Sequence, residues 1–299
     1  MMFHGSIVAL VTPMQVDGAV DLDVLSQLIE WHIASGTDGI VVLGTTGESP
    51  TITQDERMKV IRRAVETAAG RIPVIAGTGS NSTQATIQQT QEAMELGVDA
   101  CLLVTPYYNK PTQEGLYLHY KAIAEAVAVP QILYNVPSRT SCDLLPETVA
   151  RLSQIANIVA IKEASPDPQR PIQLMKVLSD NASSRPKIDI ISGDDINALA
   201  YMKLGAKGVI SVTANVAPQL VHSFCEAALS GDFTTAEKLN QQLHPLNTNL
   251  FVETNPIPTK WALTEMGKIP AGIRLPLTQL TQAKHNVVRA ALTEVGVLS

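Results

Sequence analysis

Eight short runs rich in valine and isoleucine, bounded by glycine or proline, alternate along the chain with longer segments whose apolar residues recur at helical spacing. The runs cover residues 6–11, 39–43, 73–77, 100–105, 131–135, 158–162, 188–192 and 208–211. Between the first two, Leu22, Leu25, Ile29 and Ile33 place one apolar stripe along a helix. Strands joined by covering helices run parallel and are buried on both faces, so their sequences read as continuously apolar rather than alternating. Eight such strand–helix units favour a closed α/β architecture, a (β/α)8 TIM barrel, over an open doubly wound sheet. The barrel is expected to occupy residues 1–230. Beyond it the strands stop, and residues 233–250, 258–266 and 277–295 read as helices. No Pro- or Ser-rich linker precedes them, so residues 231–299 are expected to pack on the barrel as a C-terminal helical region.

Composition narrows the function. The formal net charge is -6 and no Lys/Arg cluster appears, which argues against a nucleic-acid partner and for a small-molecule one. The three cysteines, Cys101, Cys142 and Cys225, are odd in number and form no C-x-x-C pair, as suits a reducing compartment. The opening MMFHGSIVALVTP lacks a basic n-region and a small-residue cleavage site, and it reads as a first core strand. A cytoplasmic location is therefore expected. His4, His32, His119, His222, His244 and His285 are scattered without metal-ligand spacing, so neither a metal nor a cofactor is expected.

Barrels of this kind carry their chemistry just beyond the C-terminal ends of the strands. The second run leads into Gly44-Thr45-Thr46-Gly47-Glu48-Ser49, where successive N–H groups can form a nest for a carboxylate, although the same residues also suit an ordinary capped turn. The fourth leads into Tyr107 and Tyr108, and the fifth into Tyr134 and Arg139: phenols that can relay protons or simply pack, and a guanidinium that can bind an anion or form a surface ion pair. The sixth ends in Lys162. A lysine in desolvated space loses its proton more readily, and the neutral amine attacks carbonyls; the plain alternative is an ion pair with neighbouring Glu163. Together these groups suit imine formation with an α-keto acid, followed by carbon–carbon bond formation.

The motifs GTTGES (44–49), AGTGSN (76–81), VTPYYNKP (104–111), YNVPSRT (134–140), IKEAS (161–165), SGDD (192–195) and GVISVTANV (208–216) closely resemble those of the dihydrodipicolinate synthase family of pyruvate-dependent aldolases, nearly end to end. The resemblance implies that Lys162 holds pyruvate as a Schiff base and that L-aspartate 4-semialdehyde is the second substrate. It implies that Tyr134, Thr45 and Tyr108 relay protons, with Tyr108 reaching over from a neighbouring subunit of a homotetramer. Thr46 would help hold the pyruvate carboxylate, Arg139 would meet the aldehyde's carboxylate, and Gly193 and Ile210 would line the pyruvate pocket. Where feedback-inhibited members bind lysine, this chain has Arg57 and Ala85, a cation and a lost acid, so weak or absent lysine inhibition is expected. The nearest rival, an N-acetylneuraminate lyase-like sugar-acid aldolase, generally lacks an arginine at the position of Arg139. A non-catalytic binding protein on the same fold is the rival of another class, and intact Lys162 and Tyr134 weigh against it.

Overall fold

In the computed structural model, which describes residues 3–180 and 188–298, the apolar runs form eight strands in a closed parallel barrel in chain order. They are β1 (Gly5–Ala9), β2 (Gly39–Val42), β3 (Val74–Gly77), β4 (Ala100–Val104), β5 (Gln131–Asn135), β6 (Ile158–Glu163), β7 (Asp189–Ser192) and β8 (Gly208–Ser211). The seam closes where β8 pairs with β1, Ile7 standing opposite Ile210. Gly208 permits that approach: at φ +148° it occupies backbone space L side chains avoid, and a Cβ there would lie 2.1 Å from the Gly5 carbonyl oxygen.

The strands divide the core in two. Ile7, Val41, Ile75, Ile132, Ala160 and Ile210 point into the barrel, where they pack with Tyr134. Val8, Ile40, Val42, Leu103, Leu133 and Ile161 point outward and pack against the helices. Successive strand residues face opposite ways, so Lys162, two residues after Ala160, joins the inner set and Glu163 joins the outer one.

The helices begin where capping residues stop the strand-to-helix turns. Asp21 caps Leu22–Ala34, Thr53 forms a capping box with Glu56 at the head of Gln54–Ala68, and Ser82 and Thr112 cap the next two helices. The first strand ends two residues earlier than its sequence suggests. Leu10 still donates to Val41, but the Val11 N–H goes to the Asn215 side chain at 3.0 Å and leaves the ladder.

After the barrel come helices Phe233–Asn249, Ile257–Glu265 and Gln282–Val295. The last starts five residues later than expected: Leu277 closes a turn onto Arg274, and Thr281, held by Glu253, stands extended at the helix head. No helix among the described residues is long and apolar enough to cross a membrane.

Candidate active site

Seven of the eight strand-end residues singled out from the sequence converge on the barrel interior or its mouth. Thr45, Thr46, Tyr134, Arg139, Lys162 and Gly193 all line one cavity of about 260 Å³. Ile210 lies on the inner face of β8, fully buried and packed among the inner residues, without lining that cavity. Tyr108 is the exception. It is 88% exposed, with φ at +74°, and it lines neither this cavity nor its neighbour in the same chain.

Lys162 sits opposite Tyr134 in the β5–β6 register, and its Nζ lies 4.2 Å from the centre of the Tyr134 ring. Its side chain is almost wholly buried, and among the described residues it forms no ion pair. The alternative that it pairs with Glu163 fails on strand parity, because the two adjacent side chains leave β6 on opposite faces. Gly193 follows β7 and donates its N–H to the Glu163 carbonyl at 2.7 Å. A Cβ on it would stand 3.0 Å from Lys162 Cγ, so the absent side chain makes room for the lysine stem.

The Gly44–Ser49 turn is anchored from several sides. Thr12 Oγ1 donates to the Gly47 carbonyl at 2.7 Å, and Thr46, buried, accepts a hydrogen bond from Asn255 Nδ2 at 2.9 Å. Buried Glu48 pairs with buried Lys260 and also accepts the Arg274 N–H at 3.2 Å. Burial pushes the Lys260 ammonium below its ordinary range, against the pull of Glu48. Arg139 is exposed at the mouth and donates to the Asn255 carbonyl at 3.5 Å. Asn255 thus touches both the turn and the arginine, and it lines the cavity.

Asn255 and Lys260 escaped the sequence reading, since both lie in the C-terminal region, outside the strand ends. Lys260 did leave a trace. It is the one charged residue in the run Ile257–Leu263, every member of which is buried. Such a lysine needs a buried partner, although nothing in the sequence says which.

Behind Lys162, on the outer face, Glu163 is fully buried with Asn135, Asp143, Arg170 and Tyr201 around it. Burial pushes its carboxyl up to about 7, against the pull of Asn135, Arg170 and the Ser165 N–H. Beyond β7, buried Asp195 accepts from Ser211 Oγ and from the Val212 and Thr213 N–H groups, tying the SGDD turn to the end of β8. Among the described residues no group of three or more His, Cys, Asp or Glu side chains is placed to hold a metal ion.

The site therefore offers a buried amine, a phenol, a threonine-bearing turn and a guanidinium at the rim. That set can bind a small keto acid by its carboxylate, attack its carbonyl and move protons beside it. Comparisons with known proteins agree with this reading. The profile of the Dihydrodipicolinate synthetase family matches residues 2–295. A 4-hydroxy-tetrahydrodipicolinate synthase of Nitrosococcus oceani is 58% identical over 297 residues, covering 99% of this chain and all of the relative. One from Coxiella burnetii is 57% identical over 296 residues, 99% of each chain. Among solved structures, the chloride-inhibited dihydrodipicolinate synthase of Acinetobacter baumannii complexed with pyruvate superposes with a TM-score of 0.96 at 52% identity, covering 99% of this chain and 100% of that one.

Proposed function

The chain belongs to the dihydrodipicolinate synthetase family, and from that premise we propose that Lys162 holds pyruvate as a Schiff base while L-aspartate 4-semialdehyde condenses with it. The activity is that of a 4-hydroxy-tetrahydrodipicolinate synthase, a lyase of the diaminopimelate route to lysine. The observation that carries the assignment of roles is the place of Lys162: a buried amine, without an ion pair among the described residues, on the inner row against the Tyr134 ring.

The neutral amine adds to the keto carbon of pyruvate and water leaves, giving the imine. Loss of a methyl proton gives an enamine, whose carbon attacks the aldehyde of the second substrate. Attack of that substrate's own amine on the imine carbon then closes the ring and frees Lys162. Thr45 and Thr46, at the head of the second βα turn, hold the pyruvate carboxylate. Tyr134 and Thr45, on the same cavity wall, carry protons. Arg139 at the rim meets the carboxylate of the aldehyde, a task for which a planar fork of donors suits better than an ammonium. Gly193 and Ile210 shape the pyruvate pocket. The rival sugar-acid cleavage is less favoured, because Arg139 stands where a polyhydroxy chain would need neutral hydrogen-bond partners.

The third proton carrier, Tyr108, is read as serving a neighbouring subunit. Its exposure and left-handed backbone support this, since holding a tyrosine at positive φ costs roughly 1–3 kcal/mol. The reading takes the assembly as a homotetramer of two tight dimers, located in the cytoplasm, with the chain divided at residue 230 into barrel and packed helical region. Lysine is a weak inhibitor at most: Arg57 lines the second cavity, held there by Ser49 Oγ at 2.9 Å and the Gly77 carbonyl at 2.5 Å, and would repel its amine.

Borohydride reduction in the presence of pyruvate tests the central step. Intact mass should show one reduced pyruvyl adduct per chain in wild type and none in Lys162→Ala. A folded wild type that gains no adduct would remove the Schiff base from the mechanism.

A further inference from the structure

Glu163 occupies the outer face of β6 directly behind the reactive pair. In the β5–β6 register Tyr134 stands opposite Lys162, and one step on Asn135 stands opposite Glu163. Both Glu163 carboxylate oxygens lie 3.1 Å from Asn135 Nδ2, so this hydrogen bond ties the ends of the two strands that carry the phenol and the amine. Oε1 also accepts the Ser165 N–H at 2.6 Å, which fixes the turn Ala164–Ser165–Pro166, and those three residues form part of the cavity wall. The Glu163 carbonyl accepts the Gly193 N–H, the third wall beside Lys162. One buried carboxylate residue therefore joins β5, β6 and the turns after β6 and β7.

The cluster is braced from outside. Asn135 Nδ2 also donates to Asp143 at 2.9 Å, and Asn135 Oδ1 accepts the Leu144 N–H at 2.9 Å. Arg170 grips Asp143 with two bonds of 3.0 and 2.7 Å and approaches Glu163 Oε2 at 3.9 Å. The charged and titratable groups facing Glu163 are thus Asp143 from the segment after β5, Arg170 from the helix Arg170–Asp180, and Tyr201 from the helix Ala198–Lys203. Resting on the Schiff-base reading of Lys162, we propose that Glu163 is a positioning residue for the reaction, setting through Asn135 and Ser165 the geometry of Lys162 against Tyr134.

The carboxylate is needed because it accepts on both oxygens. In Glu163→Gln an oxygen in the Oε1 position keeps Ser165 and Asn135, but the new NH₂ then stands donor against donor toward the Asn135 amide and the Arg170 guanidinium. Turned the other way it loses Ser165. One choice strains the Asn135 tie and the other releases the Ser165 tie.

The test compares wild type, Glu163→Gln and Glu163→Asp at about pH 8, where the native carboxyl is mostly ionised. Borohydride trapping with pyruvate gives the number of competent sites, and its time course gives the rate of imine formation. Steady-state rates are then divided by the number of competent sites. Positioning predicts that Glu163→Gln lowers kcat per competent site about tenfold or more, with slower trapping and KM values within about twofold of wild type. Glu163→Asp, which reaches Ser165 or Asn135 but not both, falls between. A purely structural role would lower the fraction of competent sites and leave the rate per site unchanged, and that result overturns the proposal. If Glu163→Gln does not fold, a Glu163→Asp with wild-type rate per site overturns it equally. Failure of wild type itself to trap pyruvate would instead overturn the Schiff-base reading on which the proposal rests.

Discussion

Gly193 offers the most direct test of how tightly the amine is placed. A methyl group there would stand 2.9 Å from Ala164 Cβ, 3.0 Å from Lys162 Cγ and 3.1 Å from the Glu163 carbonyl oxygen. Carbon atoms rest roughly 3.5–4.0 Å apart, so Gly193→Ala must open these contacts by roughly 0.5–1 Å. Gly193 is not among the glycines at positive φ, so alanine adds no backbone strain and the effect is steric. Overpacking of this kind costs about 1–3 kcal/mol of stability, within the margin of a folded domain. The chemical cost should be larger, because the softest neighbour is the lysine stem, and a reacting atom displaced by about 1 Å can lose about 100-fold in rate. The assay is the time course of pyruvate trapping by borohydride, followed by intact mass, beside a thermal melt. Expected are a melting temperature lower by several degrees and trapping slowed about 10- to 100-fold. A folded Gly193→Ala that traps pyruvate at the wild-type rate would refute the claim that this glycine makes room for Lys162.

Asn255→Ala removes the donor to Thr46, and the loss of one buried hydrogen bond, about 1–2 kcal/mol, should raise the KM for pyruvate about tenfold in steady-state assays. If Tyr108 serves a partner's site, Tyr108→Phe and Lys162→Ala, each nearly inactive alone, should regain part of the activity when unfolded together and reassembled; no recovery in mixed oligomers would place Tyr108 in its own site. Lysine added at millimolar concentration should leave the rate nearly unchanged, and strong inhibition would mean that Arg57 moves aside. Burial holds the His32 imidazole down to about 3, with Nδ1 on Thr37 at 2.9 Å and Nε2 without a partner among the described residues. The folded chain then binds fewer protons at this residue than the unfolded chain, so stability should fall as pH drops below about 6.5, by at most about 5 kcal/mol toward pH 3. Burial of Glu163 works in the opposite direction between its ordinary value and about 7. Between neutral pH and about pH 5 His32 alone should cost about 2 kcal/mol, so the change in urea stability over that range should be shifted toward greater stability at pH 5 in His32→Gln by about that amount relative to wild type, and an unshifted pH dependence would show that His32 is not the titrating group.

The barrel was legible because its strands are buried on both faces, which leaves runs too apolar to mistake. The same property hid the parity of the strands. A half-buried strand announces its inner face by alternation, but in Ile158–Glu163 five of six residues are buried, and nothing in their order says whether Lys162 or Glu163 looks inward. That choice is made by closure, when Ala160 and Ile132 meet inside and Ile161 and Leu133 meet the helices. It decides the chemistry as well, since the opposite parity would put the carboxylate in the pocket and the amine against Arg170. Strand ends were misjudged for a related reason: Val11 leaves the ladder for Asn215, a partner 204 residues away that no local pattern reveals. Asn255 and Lys260 reach the second βα turn across 209 and 212 residues, and they were missed because polar residues in a helical tail have many ordinary uses. Tyr108 is the instructive opposite. Its motif was readable, yet it lines neither of the two cavities at the barrel mouth, and its exposure and left-handed backbone are what the proposed role in a neighbouring subunit's site would account for.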